Sequence, residues 1–166
     1  MKLRWLSVAT LALAMVASTA VVASPAQAAG PQCRSNSKVF ARGGSTAASR
    51  SVTVRLCIQR AEDGVTMRAW GDVSMGAKSG SADIVYHMVV NVRMEHNDDD
   101  MSYASCDAAA WANFDDGGGH RFECRTPDRY SSVRGGWTAD GNVSYDIVGD
   151  GLNDLNWSLT GSPAIS

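Results

Sequence analysis

The chain has 166 residues, a formal net charge of −2 and 45% hydrophobic residues. This mildly acidic balance argues against nucleic acid and against anionic membrane surfaces as partners. The length suffices for one well-filled core and is short for several.

Lys2 and Arg4 precede an uncharged run from Leu6 to Ala23, and Ala26-Gln27-Ala28 supplies the small-x-small pattern that signal peptidase reads. The sequence therefore predicts a general secretory signal peptide over 1–28, cleaved after Ala28, followed by a single β-sandwich domain over 29–166. No later apolar run is long enough to cross a bilayer, so no membrane span is expected. Heavy use of Arg over Lys, with abundant Ala, Gly and Asp, fits a bacterial coding bias. Cys33, Cys57, Cys106 and Cys124 all follow the cleavage site, and an even number of exported cysteines predicts disulfides. Four cysteines allow three pairings. Cys33 and Cys57 are equidistant from Ser45, inside the turn-like Gly43-Gly44-Ser45-Thr46, and Cys106 and Cys124 are equidistant from Asp115. The expected bridges are Cys33–Cys57 and Cys106–Cys124, each tying the arms of its own hairpin. A structural zinc site would show closely spaced Cys pairs, which are absent here.

From Ser51 the residues alternate, with Val52, Val54, Leu56 and Ile58 on one face and Thr53, Arg55, Cys57 and Gln59 on the other. Asp63-Gly64 is a tight-hairpin signal. Taken as a two-residue loop, it sets Val52 against Met75, Val54 against Val73, Leu56 against Gly71 and Ile58 against Ala69. It also places Arg55 opposite Asp72 as an ion pair, and Cys57 opposite Trp70. A one-residue slip would oppose Val to Asp, so the pattern specifies this register. The next strand sets Ile84, Tyr86, Met88, Val90, Val92 and Met94 on an apolar face. It ends at the polar His96-Asn97-Asp98-Asp99-Asp100, read as a solvated turn. Cys106 to Asn113 is assigned to a strand, although Ala108-Ala109-Ala110 suits a helical turn. Phe122 and Cys124 resume a strand. Ala139-Asp140-Gly141 reads as a three-residue hairpin loop pairing Trp137 with Val143. Leu155, Trp157 and Leu159 alternate in the last strand. About eight or nine short strands predict an all-β fold, an antiparallel β-sandwich, jelly-roll-like or a flattened barrel.

Asp146, Ile147, Val148, Gly149, Asp150, Gly151, Leu152, Asn153, Asp154 and Leu155 form the segment with the most suggestive spacing. It resembles the calcium loops of integrin-type β-propeller repeats, with Asp146, Asp150 and Asp154 at ligand positions one, five and nine. The resemblance implies a Leu152 backbone carbonyl at position seven, and calcium held with the millimolar affinity of extracellular modules. Val148 departs from the pattern, which has a side-chain oxygen at position three. His96 with Asp98, Asp99 and Asp100 forms a second acidic cluster, better explained as a turn than as a ligand set. Trp137 and Trp157 read as core and Trp70 as packing on the Cys57 disulfide, which leaves Trp111 as the candidate ligand-stacking residue. Sequence shows no serine-hydrolase elbow and no zinc-protease helix. The expected function is a secreted, non-enzymatic module binding an extracellular protein or glycan. The alternatives are a proteinase inhibitor presenting the Asp115-to-His120 loop, and a hydrolase built on His87, His96 or His120.

Overall fold

The computed structural model describes residues 30–45, 47–115 and 119–166. The expected signal peptide lies outside the described residues, as do Thr46 in the first turn and 116–118 in the Asp115-to-His120 loop. Nine strands and one short helix follow in the order β1 (Gln32–Ala41), β2 (Ser49–Arg60), β3 (Thr66–Met75), β4 (Val85–His96), β5 (Asp99–Asp107), α1 (Ala109–Asn113), β6 (His120–Arg125), β7 (Arg129–Tyr130), β8 (Trp137–Ile147) and β9 (Leu155–Ser158). One sheet, sheet A, has the order β1-β2-β3-β6 with β7 also on β3, and the other, sheet B, has the order β5-β4-β8-β9. All pairings are antiparallel, and the two sheets form a sandwich without closing into a barrel.

Period-two alternation builds the core. Val52, Val54, Leu56 and Ile58 of β2 are fully buried, as are Met88, Val90, Val92 and Met94 of β4. Each such side chain contributes about 1.5–3 kcal/mol through removal from water. The β2–β3 register is the one the sequence specifies, with Val52↔Met75, Val54↔Val73, Leu56↔Gly71 and Ile58↔Ala69. The connecting turn is wider than two residues. The Ala61 N–H donates to the Thr66 carbonyl and the Gly64 N–H to the Ala61 carbonyl. Asp63 caps this loop, accepting from the Val65 N–H (2.9 Å), the Thr66 N–H (2.8 Å) and the Thr66 hydroxyl.

These bonds, the Thr66 hydroxyl first, hold the Asp63 carboxyl down at about 2 from an ordinary 3.8. A folded value below the unfolded one adds stability above the ordinary value and loses it as pH falls through the lowered one. Asp63→Asn should therefore flatten the acid limb of the stability–pH curve between about pH 4 and pH 2. Denaturant melts across that range check this, and an unchanged slope would refute the capping role.

The disulfides are Cys33–Cys57 and Cys106–Cys124, as expected. The first joins register partners on β1 and β2. The second does not lie within a hairpin. Cys106 is on β5 and Cys124 on β6, edge strands of different sheets, so the bridge fastens one sheet to the other.

Three further expectations are corrected. Ala109–Asn113 is a helix rather than a strand. It is held by tertiary contacts: buried Arg50 donates to the Trp111 carbonyl, and Lys78 Nζ donates to the Asn113 carbonyl at 2.8 Å. Asn113 Oδ1 also accepts from the Ile84 and Val85 N–H groups, replacing ladder bonds at the start of β4. Asp140-Gly141 is no turn, because β8 runs unbroken from Trp137 to Ile147 with strict burial alternation. Finally, Tyr86 leaves the apolar face. A bulge lets Val85 face Ile147 and His87 face Asp146, and Tyr86 is 69% exposed.

The side of the sandwich between β1 and β9 is closed by polar contacts. Asn36 exchanges two hydrogen bonds with the Thr160 backbone (3.0 and 2.8 Å), and Lys38 donates to the Tyr145 hydroxyl while lying over its ring.

Candidate functional site

Alternation on four neighbouring strands turns a set of polar residues onto the outer face of sheet A. Ser35, Arg55, Asp72 and Glu123 form one row across β1, β2, β3 and β6, and Ser37, Thr53, Ser74 and Arg121 form the next. Between them lies a depression of about 470 Å³, lined by Ser35, Thr53, Arg55, Asp72, Ser74 and Arg121 together with Val73 and Phe122. Arg55 and Asp72 face each other as the sequence specifies. The expected ion pair between them does not form. Among the described residues, the side chains of Arg55, Asp72 and Arg121 make no ion pair or hydrogen bond. Their guanidinium donors and carboxylate acceptors point into the depression without an internal partner. Trp70 continues this face, opposite Cys57 on β2 and Arg125 on β6, and is partly exposed.

The outer face of sheet B shows the contrasting case. Arg93 contacts Glu95 at 3.1 Å, Asp140 at 3.2 Å and Asp100 at 3.7 Å. Asn142 donates to Asn156 at 2.6 Å, and Ser105 to Asn91 at 2.7 Å. A depression of about 360 Å³ lies over Arg93, Asp140, Asn142, Asn156 and Ser158. Burial, then the neighbouring Asp140 carboxylate, pushes the Glu95 carboxyl up despite Arg93. These groups serve mainly one another, as a structural polar layer does.

Only part of the predicted calcium loop converges. Among the described residues, the one set of three His, Cys, Asp or Glu side chains with ligand atoms all within 4.8 Å is His87, Asp146 and Asp154. Asp150 is outside that set, and its Oδ1 accepts the Leu152 N–H at 2.8 Å. The Leu152 side chain is exposed, and Val148, at the departing position, is buried. The second acidic cluster is dispersed. Asn97 and Asp98 form the two-residue turn between β4 and β5, with φ of 52° and 68°. The His96 ring rests 4.8 Å from that of Trp137, and Asp100 turns to Arg93. Trp111 is 41% exposed, its ring 4.7 Å from that of His120 and 6.5 Å from that of Phe122. Its ring thus packs against β6. Trp137 is core, and Trp157 is partly buried against Phe40.

Sequence reasoning missed Arg121 and assigned Arg55 and Asp72 to each other. Arg121 joins them only because β6 pairs with β3, a long-range contact without a local signal. His87 was visible only as a polar residue on a mixed strand face. In comparison with known proteins, the chain matches no family model, no curated protein and no solved structure.

Proposed function

We propose that this protein is a secreted, non-catalytic binding module that holds an extracellular or cell-wall glycan on the outer face of sheet A. The observation that carries this reading is the depression whose charged lining, Arg55, Asp72 and Arg121, makes no bonds within the described protein. A saccharide presents many hydroxyls that both donate and accept, and planar guanidinium and carboxylate groups bind them with defined geometry. Ser35, Thr53 and Ser74 add hydroxyls, and Trp70 offers an apolar surface for stacking a sugar ring. Two disulfides suit an oxidising compartment. Among the described residues, no helix is long and apolar enough to cross a membrane.

The non-catalytic reading draws support from the histidines. His87 and His96 sit at opposite ends of β4, and His120 packs among Trp111 and Phe114. Hydrogen bonds to charged groups contribute about 1.5–3 kcal/mol each, so losing one costs roughly ten- to a hundredfold in affinity. Retention on insoluble cell-wall polysaccharide and titration against an oligosaccharide panel should both show saturable binding. The Arg55→Ala, Asp72→Ala and Trp70→Ala variants should each weaken it by about tenfold or more. Equal binding by all three variants would move the site elsewhere, and absence of glycan binding would end the proposal.

A further inference from the structure

We infer that His87, Asp146 and Asp154 form a site for a divalent first-row transition metal, of which zinc is the natural probe. The site lies on sheet B, separate from the glycan face, and rests on different observations. His87 faces Asp146 across the β4–β8 ladder, and the β8–β9 register continued by one residue sets Asp154 beside Asp146. Strands β4 and β8 and the residue that leads into β9 therefore offer one ligand each in a single row. His87 keeps the register of the rest of β4, in which Met88 faces Tyr145, and the bulge at Tyr86 shifts only Val85.

His87 Nε2 lies 3.6 Å from Asp154 Oδ1, and the ligand atoms of all three residues lie within 4.8 Å of one another. Two carboxylates thus converge on one imidazole, and among the described residues no Lys or Arg forms an ion pair with either. A divalent cation would relieve that concentration of negative charge. The donor set selects its class: imidazole nitrogen with carboxylate oxygens suits zinc and its neighbours, whereas calcium requires six to eight oxygens and does not use imidazole. Side-chain exposures of 37% for His87 and 76% for Asp154 leave the site reachable from solvent, with room for water to complete the coordination. All four cysteines are committed to disulfides and offer no competing thiolate.

The test uses untagged, chelator-treated protein titrated calorimetrically with zinc chloride and, separately, calcium chloride. Cobalt(II) absorption reports on nitrogen and oxygen ligation. Expected are one equivalent of zinc, a zinc-dependent rise in melting temperature, and loss of affinity by about a hundredfold in His87→Gln and Asp146→Asn, at the upper end of what losing an outer-shell partner costs. Asp150→Asn should bind zinc like the wild type. Circular dichroism checks that the variants, all at half-buried positions, fold. The inference is overturned by the absence of saturable zinc binding, or by zinc binding indifferent to His87→Gln. Calcium binding that survives His87→Gln but fails in Asp150→Asn would also overturn it, in favour of an all-oxygen loop.

Discussion

Gly141→Ala should destabilise the fold by about 3 kcal/mol, at the upper end of what overpacking normally costs. A Cβ at this position would lie 2.2 Å from the Asn91 carbonyl oxygen and 3.5 Å from the Val92 Cα, both on the paired strand β4. The obstacle is backbone, so no side-chain rotation can relieve it. β8 also cannot back away without loss, because the Gly141 carbonyl accepts the Leu159 N–H at 3.1 Å. Gly151 is the control. Its φ is +72° and a Cβ there meets nothing within 4 Å, so alanine should cost only about 1 kcal/mol of left-handed backbone strain. Chemical denaturation of both variants separates the cases. A Gly141→Ala cost no larger than that of Gly151→Ala would contradict a continuous β8 packed on β4.

Removing the Cys106–Cys124 bridge as Cys106→Ala/Cys124→Ala should lower stability by about 3 kcal/mol. That corresponds to a fall in melting temperature on the order of 10 °C. The bridge spans 18 residues of sequence, and opening it restores freedom to the unfolded chain. It also releases the disulfide that fastens one sheet to the other, since Cys33–Cys57 joins strands of sheet A already paired by backbone hydrogen bonds. Cys33→Ala/Cys57→Ala should cost a similar amount by the chain-entropy argument. The two variants should nonetheless differ in where hydrogen exchange accelerates. Loss of Cys106–Cys124 should expose amides of β5, α1 and β6, and loss of Cys33–Cys57 those of β1. Matching exchange maps for the two variants would refute the inter-sheet role.

The parts of the fold legible in sequence are those set by local alternation. The β2–β3 register follows from two faces that must both be satisfied, and it holds although the Asp63-Gly64 turn is wider than two residues. Symmetric cysteine spacing gave both bridges, but it could not distinguish a hairpin from two edge strands on facing sheets. Turn chemistry misled at Asp140-Gly141. There glycine serves close approach to β4, and the alternation of Trp137, Ala139, Val143, Tyr145 and Ile147 carried the stronger signal. Tyr86 was placed in the core because a bulge has no signature in a simple alternating pattern.

The sites were less legible because both depend on pairings far apart in sequence. Asp146 and Asp154 stood out through a loop resemblance, while His87 reaches them only across β4–β8. Arg55 and Asp72 were placed opposite each other correctly. Whether such a pair closes on itself or stays open depends on side-chain geometry, which register does not determine. Exposed ion pairs contribute only about 0–1 kcal/mol, so little energy drives Arg55 and Asp72 together. That weak drive leaves them available to a ligand.

The most direct test of the proposal that the outer face of sheet A binds glycan is amide chemical-shift mapping of isotope-labelled protein titrated with the best-retained oligosaccharide. Saturable shifts should cluster at Ser35, Thr53, Arg55, Asp72, Ser74 and Arg121, together with the Trp70 indole N–H. Shifts confined to the outer face of sheet B or to the Trp111 end, with sheet A unmoved, would contradict it.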